Sequence, residues 1–355
     1  MSTVWLIGIV LIGIGVAILG VLGTILTNGM IQARRVRYEP LVAEAQRAVV
    51  AALIGGDSEV AVALEALKAL PARFTVGLIL DLAPSVSGSS QSVLVGLGEG
   101  LGLVRRAKRG IASIRWPTRL YSARVLTAFA IEDDRMVLML SDRSGEVRAQ
   151  AAAWCVVKPT PDAIQTLVSK LGDPDGLCRF AVQDSLVRIG LPAIEPMVRE
   201  LGTASGEIVD RILEIAAASG DTRFFAPSLE LTRSDSPETR SRAASVLARV
   251  GDPSAGPTLE SMLSDTSDLV VLSALSALAS TSYWSACPAV AHLLDHPSWE
   301  VRNQAGLTLL ALGAPGEIFL LTASSGGGIA AEMASRILQL RSFESHSFKT
   351  EMEMA

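Results

Sequence analysis

His292 and His296 stand four positions apart and could share one face of a helix, as zinc ligands do. Asp295 and Cys287 are near in sequence, but neither completes a ligand set at convincing spacing, and Pro297 ends the helix beside His296. A second chemistry is suggested by Gly96, Gly98, Gly100 and Gly102, which alternate through GLGEGLGLV. A phosphate cradle needs a strand before such a loop and a helix N-terminus aimed at the anion. No strand is evident, so the stretch reads as a flexible or loosely packed helical segment. Its apolar flanks, Val93, Leu94, Val95, Leu101, Leu103 and Val104, offer a membrane-interface contact as a further option. No nucleophile, acid–base pair or metal cage emerges. The expectation is a chain that is not an enzyme, with no catalytic residue, no cofactor, no metal and no small-molecule substrate.

The basic run is the most informative polar feature. Arg105, Arg106, Lys108, Arg109, Arg115, Arg119 and Arg124 fall between Glu99 and Glu132 with no acid among them. One reading is a solvated face at a helix end, where cations suit the dipole. Another is contact with anionic lipid headgroups, where each cation near the surface contributes ~1 kcal/mol. An acidic partner protein fits equally. Nucleic acid does not: net charge is −5, and the region beyond the run is acid-rich without interleaved aromatics.

The elements that must carry these residues begin with an apolar segment. Val4 to Thr27 contains no charged side chain, which exceeds the ~20 residues a helix needs to cross a bilayer core. The preceding Met1-Ser2-Thr3 carries no Lys or Arg, and no A-x-A cleavage site follows, so a transmembrane anchor is expected rather than a signal peptide. Arg34, Arg35 and Arg37 follow the span; by the positive-inside rule the N-terminus lies outside and the rest in the cytoplasm. Three cysteines, Cys155, Cys178 and Cys287, form no disulfide framework. Within the span, Gly13 with Ala17 and Gly20 with Thr24 are small-x-x-x-small pairs that would let another membrane helix approach.

Beyond the span the chain repeats itself. Leu140, Leu171, Leu201, Leu231, Leu263, Leu294 and Leu321 recur at intervals of roughly 30 residues, the period of stacked helical pairs. Gly190, Gly220, Gly251 and Gly313 mark one loop, and Arg148, Arg179, Arg240 and Arg302 mark one helix position. In one unit, Asp173 is expected to cap a helix with Pro174 in its first turn. Leu177, Ala181, Leu186 and Ile189 would carry its apolar stripe, Gly190 would end it in the left-handed conformation, and Pro192 would open the partner helix. Ile194, Met197, Val198 and Leu201 would then be buried. The same grammar runs from Asp235 to Leu263 and from Asp295 to Leu320. Leu201 to Leu231 departs from it with Asp210 in the Arg column, and Leu263 to Leu294 with Val271 there and Ser282 in the Gly column. Before the array, Val42 to Leu53 and Glu59 to Leu70 read as amphipathic helices, the second halted by Pro71.

The segments DRSGEVRAQAA, GDPDGLCRFAVQDSLVRIG, SDSPETRSRAASVLARVGDPSAGPTLESML and DHPSWEVRNQAGLTLLALG resemble HEAT repeats, of the short type also seen in phycobilin-lyase-related proteins. The resemblance covers Ala112 to Gln339 well and Ala33 to Ile111 poorly. It implies a right-handed α-solenoid whose column of Arg residues braces adjacent repeats against Asp residues such as Asp142 and Asp173, rather than lining a ligand groove. Some HEAT-like proteins are metal-dependent hydroxylases with His-Glu pairs; none of the three histidines here is followed by Glu, which argues against that activity.

The sequence therefore predicts an all-α protein: an anchor over 1–32, a degenerate helical region over 33–111, a HEAT array over 112–340 and a disordered tail over 341–355. The expected function is a membrane-tethered scaffold or accessory subunit, with a protein partner, itself an integral membrane protein in one version. The alternatives are a chromophore-lyase-like protein, which bound pigment would reveal, and a peripheral module for anionic lipid.

Overall fold

The computed structural model describes residues 38–55, 57–86, 88–204 and 206–340. The apolar segment with Gly13, Ala17, Gly20 and Thr24, and the tail over 341–355, lie outside the described residues. Among those described, all regular structure is helical, and no helix is long and apolar enough to cross a membrane. Packing divides the chain into two units, Met1–Asp133 and Asp134–Ala355.

In the first unit, helix α1 covers 38–55, α2 Asp57–Lys68, α3 Ala72–Leu82, α4 Ser89–Gly100, α5 Leu103–Gly110 and α6 Trp116–Ala128. The two amphipathic segments expected here fall in α1 and α2. Pro71 stands as the N-cap of α3, where a missing N–H costs nothing. Thr75 Oγ1 donates to the Leu67 carbonyl at 3.0 Å and so ties α3 to the end of α2. Ser90 Oγ donates to the Leu53 carbonyl at 3.0 Å, and Gln91 Nε2 to that of Ala128 at 3.1 Å. The glycine-rich stretch is helical as far as Gly100 and closely packed at two of its glycines: a Cβ at Gly98 would run into the buried Phe129 ring, and one at Gly100 into the Leu64 side chain, whereas Gly96 and Gly102 face open space.

The second unit is a two-layer stack. One layer holds α8 Gly145–Val157, α10 Gly176–Ile189, α12 Gly206–Ser219, α14 Pro237–Val250, α16 Asp268–Thr281 and α18 Trp299–Ala311, each packed on the next. The other holds α9 Pro161–Ser169, α11 Leu191–Leu201, α13 Phe225–Leu231, α15 Gly256–Ser261, α17 Cys287–His292 and α19 Ala314–Ser324, and α9 to α17 each rest on the following first-layer helix. A short helix, α7 Arg135–Leu138, precedes the stack; a final helix, α20 over 328–340, adds Met333, Ala334 and Ile337 to the core. No helix in such an array can bury its stripe alone, so neighbouring repeats supply one continuous core. Leu140, Leu171, Leu201, Leu263 and Leu294 are all buried in it. In the last repeat Leu321 is 57% exposed and Leu320 is buried. Leu320 follows Gly313 at the distance at which the buried Met197 follows Gly190, so the leucine column ends at Leu294 and Ser324 stands where Leu201 does.

Two details of the expected unit are corrected. Asp175, not Asp173, is the N-cap of α10, accepting from Cys178 N at 3.0 Å, and Pro174 precedes the helix. The buried stripe of α10 is Cys178, Val182, Ser185 and Leu186, while Leu177 is 55% exposed. Starting the helix at Gly176 rotates the core face by one position from the expected phase. On α11 the expected positions hold: Ile194, Met197 and Leu201 are buried, with Val198 half-buried.

The loop column turns the chain with positive φ at Gly190 (68°), Gly220 (67°), Gly251 (72°) and Gly313 (74°). Gly251, with ψ 19°, has the left-handed cap geometry. Gly190 and Gly313, with ψ of −129° and −148°, occupy a region open essentially to glycine alone. Ser282 keeps the column with φ 53° and ψ 35°, and Ala130, after α6, also has positive φ at 52°.

Candidate functional site

Each residue of the Arg column closes the loop before its helix. The Nη1 groups of Arg179, Arg240 and Arg302 donate to the backbone carbonyls six and five residues earlier, at 2.6 to 3.0 Å; Arg148 donates to that of Asp142 at 2.8 Å. Two of the four also reach forward to the next repeat. Arg148 Nε and Nη2 donate to both oxygens of Asp173 at 2.8 and 2.7 Å, and Arg240 binds Asp265 in the same fork at 2.8 Å. At Asp173 burial opposes ionisation, but the hydrogen bonds from Arg148 and the Asp175 N–H outweigh it and hold the carboxyl below its ordinary value. The Arg240 bonds do the same for Asp265 against its burial. The Arg column is thus internal bracing.

The irregular units replace this bracing with other contacts. Asp210 accepts from Thr239 Oγ1 at 2.7 Å and pairs with Arg242 at 3.6 Å. Val271 is buried in the core. Its forward partner position is His296, whose Nδ1 accepts from Ser298 N at 3.2 Å, the turn that Asp142, Asp173 and Asp265 make with their own carboxylates. That bond gives the nitrogen considered for zinc a structural partner. Cys155, Cys178 and Cys287 are buried free thiols. Burial pushes Cys155 up to about 12 and, with Asp173 beside it, Cys178 up to about 11; neither is an activated nucleophile.

The basic run is carried by α5, the loop over 111–115 and α6. Leu103, Val104, Ala107 and Ile111 face inward, which leaves Arg105, Arg106, Lys108 and Arg109 exposed on α5, with Arg115 and Arg124 exposed beyond it. Arg119 differs from the others. It is half-buried, and its Nη1 donates to the carbonyls of Ser113 and Ile114, each at 2.9 Å. That is the clamp of the repeat column, whose spacing reaches back from Arg148 to Arg119, although the sequence reading counted Arg119 only among the basic run. Held by this clamp, Ile114 is 98% exposed, and Trp116 beside it is 45% exposed; the sequence reading passed over both.

A second uncovered surface lies on α10. Leu177, Phe180 and Val187 are 55%, 71% and 51% exposed, and Leu191 at the start of α11 is 71% exposed. Their spacing places the first three on one helix face, opposite the buried stripe. Between α9 and α11 a proline-lined groove of about 340 Å³ opens among Pro159, Pro161, Pro192, Pro196, Asp162 and Arg199. A smaller apolar recess of about 110 Å³ sits where α10, α11 and α12 meet, against Leu186, Ile194, Met197 and Ile215.

Stacked helical pairs, a glycine-turned loop and an arginine clamp together make the second unit a stack of helical repeats, and part of it is similar to HEAT repeats. The family model for HEAT repeats matches residues 194–279 and 225–310. Among solved structures, the karyopherin Kap121p bound to the SUMO protease Ulp1p is similar in fold, with a TM-score of 0.50 and 13% identity over 86% of this chain and 43% of that one. Kap121p bound to Nup53p matches with the same figures, and a substituted form of Kap121p reaches a TM-score of 0.53 at 13% identity, over 86% and 42%. The chain thus spans less than half the length of these karyopherins. No curated protein matches it.

Proposed function

We propose that this protein is a HEAT-repeat scaffold that docks a partner protein on the apolar face of α10, and that residues 4–27 tether it to a membrane with the array on the cytoplasmic side. The observation that carries the reading is the row Leu177, Phe180 and Val187 on α10, large apolar side chains left uncovered on a helix whose opposite face is already in the core, with the exposed Leu191 following at the start of α11. Such a row on a braced scaffold suits a buried contact with a partner's apolar side chains. The fold's solved neighbours support a protein as occupant, since Kap121p is seen with Ulp1p and with Nup53p. No acid–base pair or activated thiol accompanies the row, so docking rather than catalysis is its chemistry. In the span, Gly13, Ala17, Gly20 and Thr24 would pack against a membrane helix of the same partner.

The test is a photo-crosslinking residue at Phe180 of the full chain in native membranes, with Glu230 on α13 as an exposed control. One defined adduct from position 180, absent from 230, is expected, and the purified adduct partner should lose binding to Phe180→Asp while the melting temperature stays unchanged. Equal adducts from both positions, or undiminished binding to the variant, would sink the docking site. The tether is tested separately: the full chain should resist alkaline extraction from membranes, and its release would refute the span.

A further inference from the structure

We propose that the outer face of α5, the loop over 111–115 and the start of α6 form a binding surface for an anionic lipid bilayer, with Ile114 and Trp116 entering the headgroup layer. This goes beyond the docking role and needs no transmembrane segment, although a tether would hold the surface in place.

Charge is the first observation. Arg105, Arg106, Lys108, Arg109, Arg115 and Arg124 are exposed, and among the described residues none of them forms an ion pair. Arg106 lies near enough to Tyr121, one turn before Arg124, to oppose the rise that burial gives the phenol, which brings Arg106 toward the Arg124 side of α6. The second observation is apolar and independent. A solvated basic face has no use for an isoleucine that is 98% exposed. Nor is Ile114 at the tip of a loose loop: Arg119 holds the carbonyls of Ser113 and Ile114, and Ser113 Oγ accepts from Arg115 N at 3.2 Å. The loop is thus fixed with its apolar tip outward. Trp116 follows at the first turn of α6, and its amphipathic ring suits the headgroup level. An apolar tip ringed by cations is the pattern of an interfacial contact, in which buried apolar area and attraction to anionic lipid act together. An acidic protein would need a pocket shaped for Ile114; a bilayer takes it anywhere.

The test places an environment-sensitive fluorophore on Ile114→Cys in the full chain, since the native thiols are buried and this side chain supports no packing. The labelled protein is reconstituted into discs of phosphatidylcholine alone or with phosphatidylserine. Blue-shifted emission and quenching by spin-labelled lipid are expected on the anionic discs and absent on the neutral ones. Reversal of Arg105, Arg106, Lys108 and Arg109 to Glu should abolish both signals. Raising salt to ~1 M, where the Debye length is about 3 Å, should weaken them in the unreversed protein, an arm that needs no refolded variant. A probe that stays in water on anionic discs overturns the proposal, as does a blue shift that appears only when an acidic protein is added. Retention of the chain on neutral discs reports the tether alone, so the two readings fail separately.

Discussion

Arg148 and Asp173 are joined by two parallel N–H···O bonds, 2.8 and 2.7 Å long, that cross from one repeat to the next. Both side chains are largely withdrawn from solvent, 12% and 5% exposed. Removing one partner from a buried pair of this kind leaves an uncompensated charge, at a cost of about 3 kcal/mol. Arg148→Met is therefore expected to destabilise the fold by that amount in urea unfolding. Arg179→Met should cost clearly less, because Ala204 stands where its forward carboxylate would be. Equal losses would show that the carbonyl clamp, not the fork, carries the stability.

The same pairs set an acid limit. Asp173 and Asp265 have carboxyl values below the ordinary 3.8, so their stabilising effect is complete above that pH and disappears as pH falls through the lowered folded values. The stability gap between the parent protein and Asp173→Asn/Asp265→Asn should be widest near neutrality and close below about pH 4. A gap independent of pH would mean the carboxylates act by shape alone.

Gly190 and Gly251 occupy the same column with different backbone geometry. At Gly251 an alanine meets nothing within 4 Å and need only accept the left-handed region, costing ~1 kcal/mol. At Gly190, with ψ −129°, the conformation is essentially closed to other residues, and alanine should cost roughly 1–3 kcal/mol. Conversely, Ser282→Gly should stabilise by about 0.5–1 kcal/mol, since glycine relieves the positive φ. Thermal unfolding of the three variants measures the order; a destabilised Ser282→Gly would contradict it.

With Cys155 at about 12 and Cys178 at about 11, burial keeps both thiols protonated at neutral pH. Cys287 is buried too, and burial raises its thiol as well, so thiol reagents at pH 8 should label none of the three cysteines in the folded protein and all three on unfolding. Rapid stoichiometric labelling of the native chain would contradict the buried, protonated state.

The array was legible because repetition averages out local ambiguity: the columns at Leu171, Arg148 and Gly251 each reappear several times in one register. What escaped was local phase. On α10, apolar residues occupy both faces, so Leu177 with Ala181 and Cys178 with Val182 are equally helical choices; packing buries the second pair together with Leu186. Asp173 and Asp175 are both good caps by type, and packing against Arg148 claims the first. Positive φ at Ala130 left no trace in the sequence, whereas Ser282 was marked only by standing in the glycine column. Arg119 hid among other cations although it stands in register with Arg148, and Ile114 hid because one apolar residue in a basic run says nothing of its exposure.

The forks are also unevenly distributed, and that has a mechanical meaning. Arg148–Asp173 pins α8 to the loop before α10, and Arg240–Asp265 pins α14 to the loop before α16. Asp210 with Thr239 fastens α12 to α14. Between α10 and α12, among the described residues, the only side-chain bond is Gln183 to Glu214 at a long 3.5 Å, and the apolar recess beside Leu186 and Ile215 lies at the same seam. A rod riveted on either side of one bare joint flexes at that joint. The seam borders α10, whose outer face is uncovered, so bending there would tilt the row of Leu177, Phe180 and Val187 while each flanking block kept its shape.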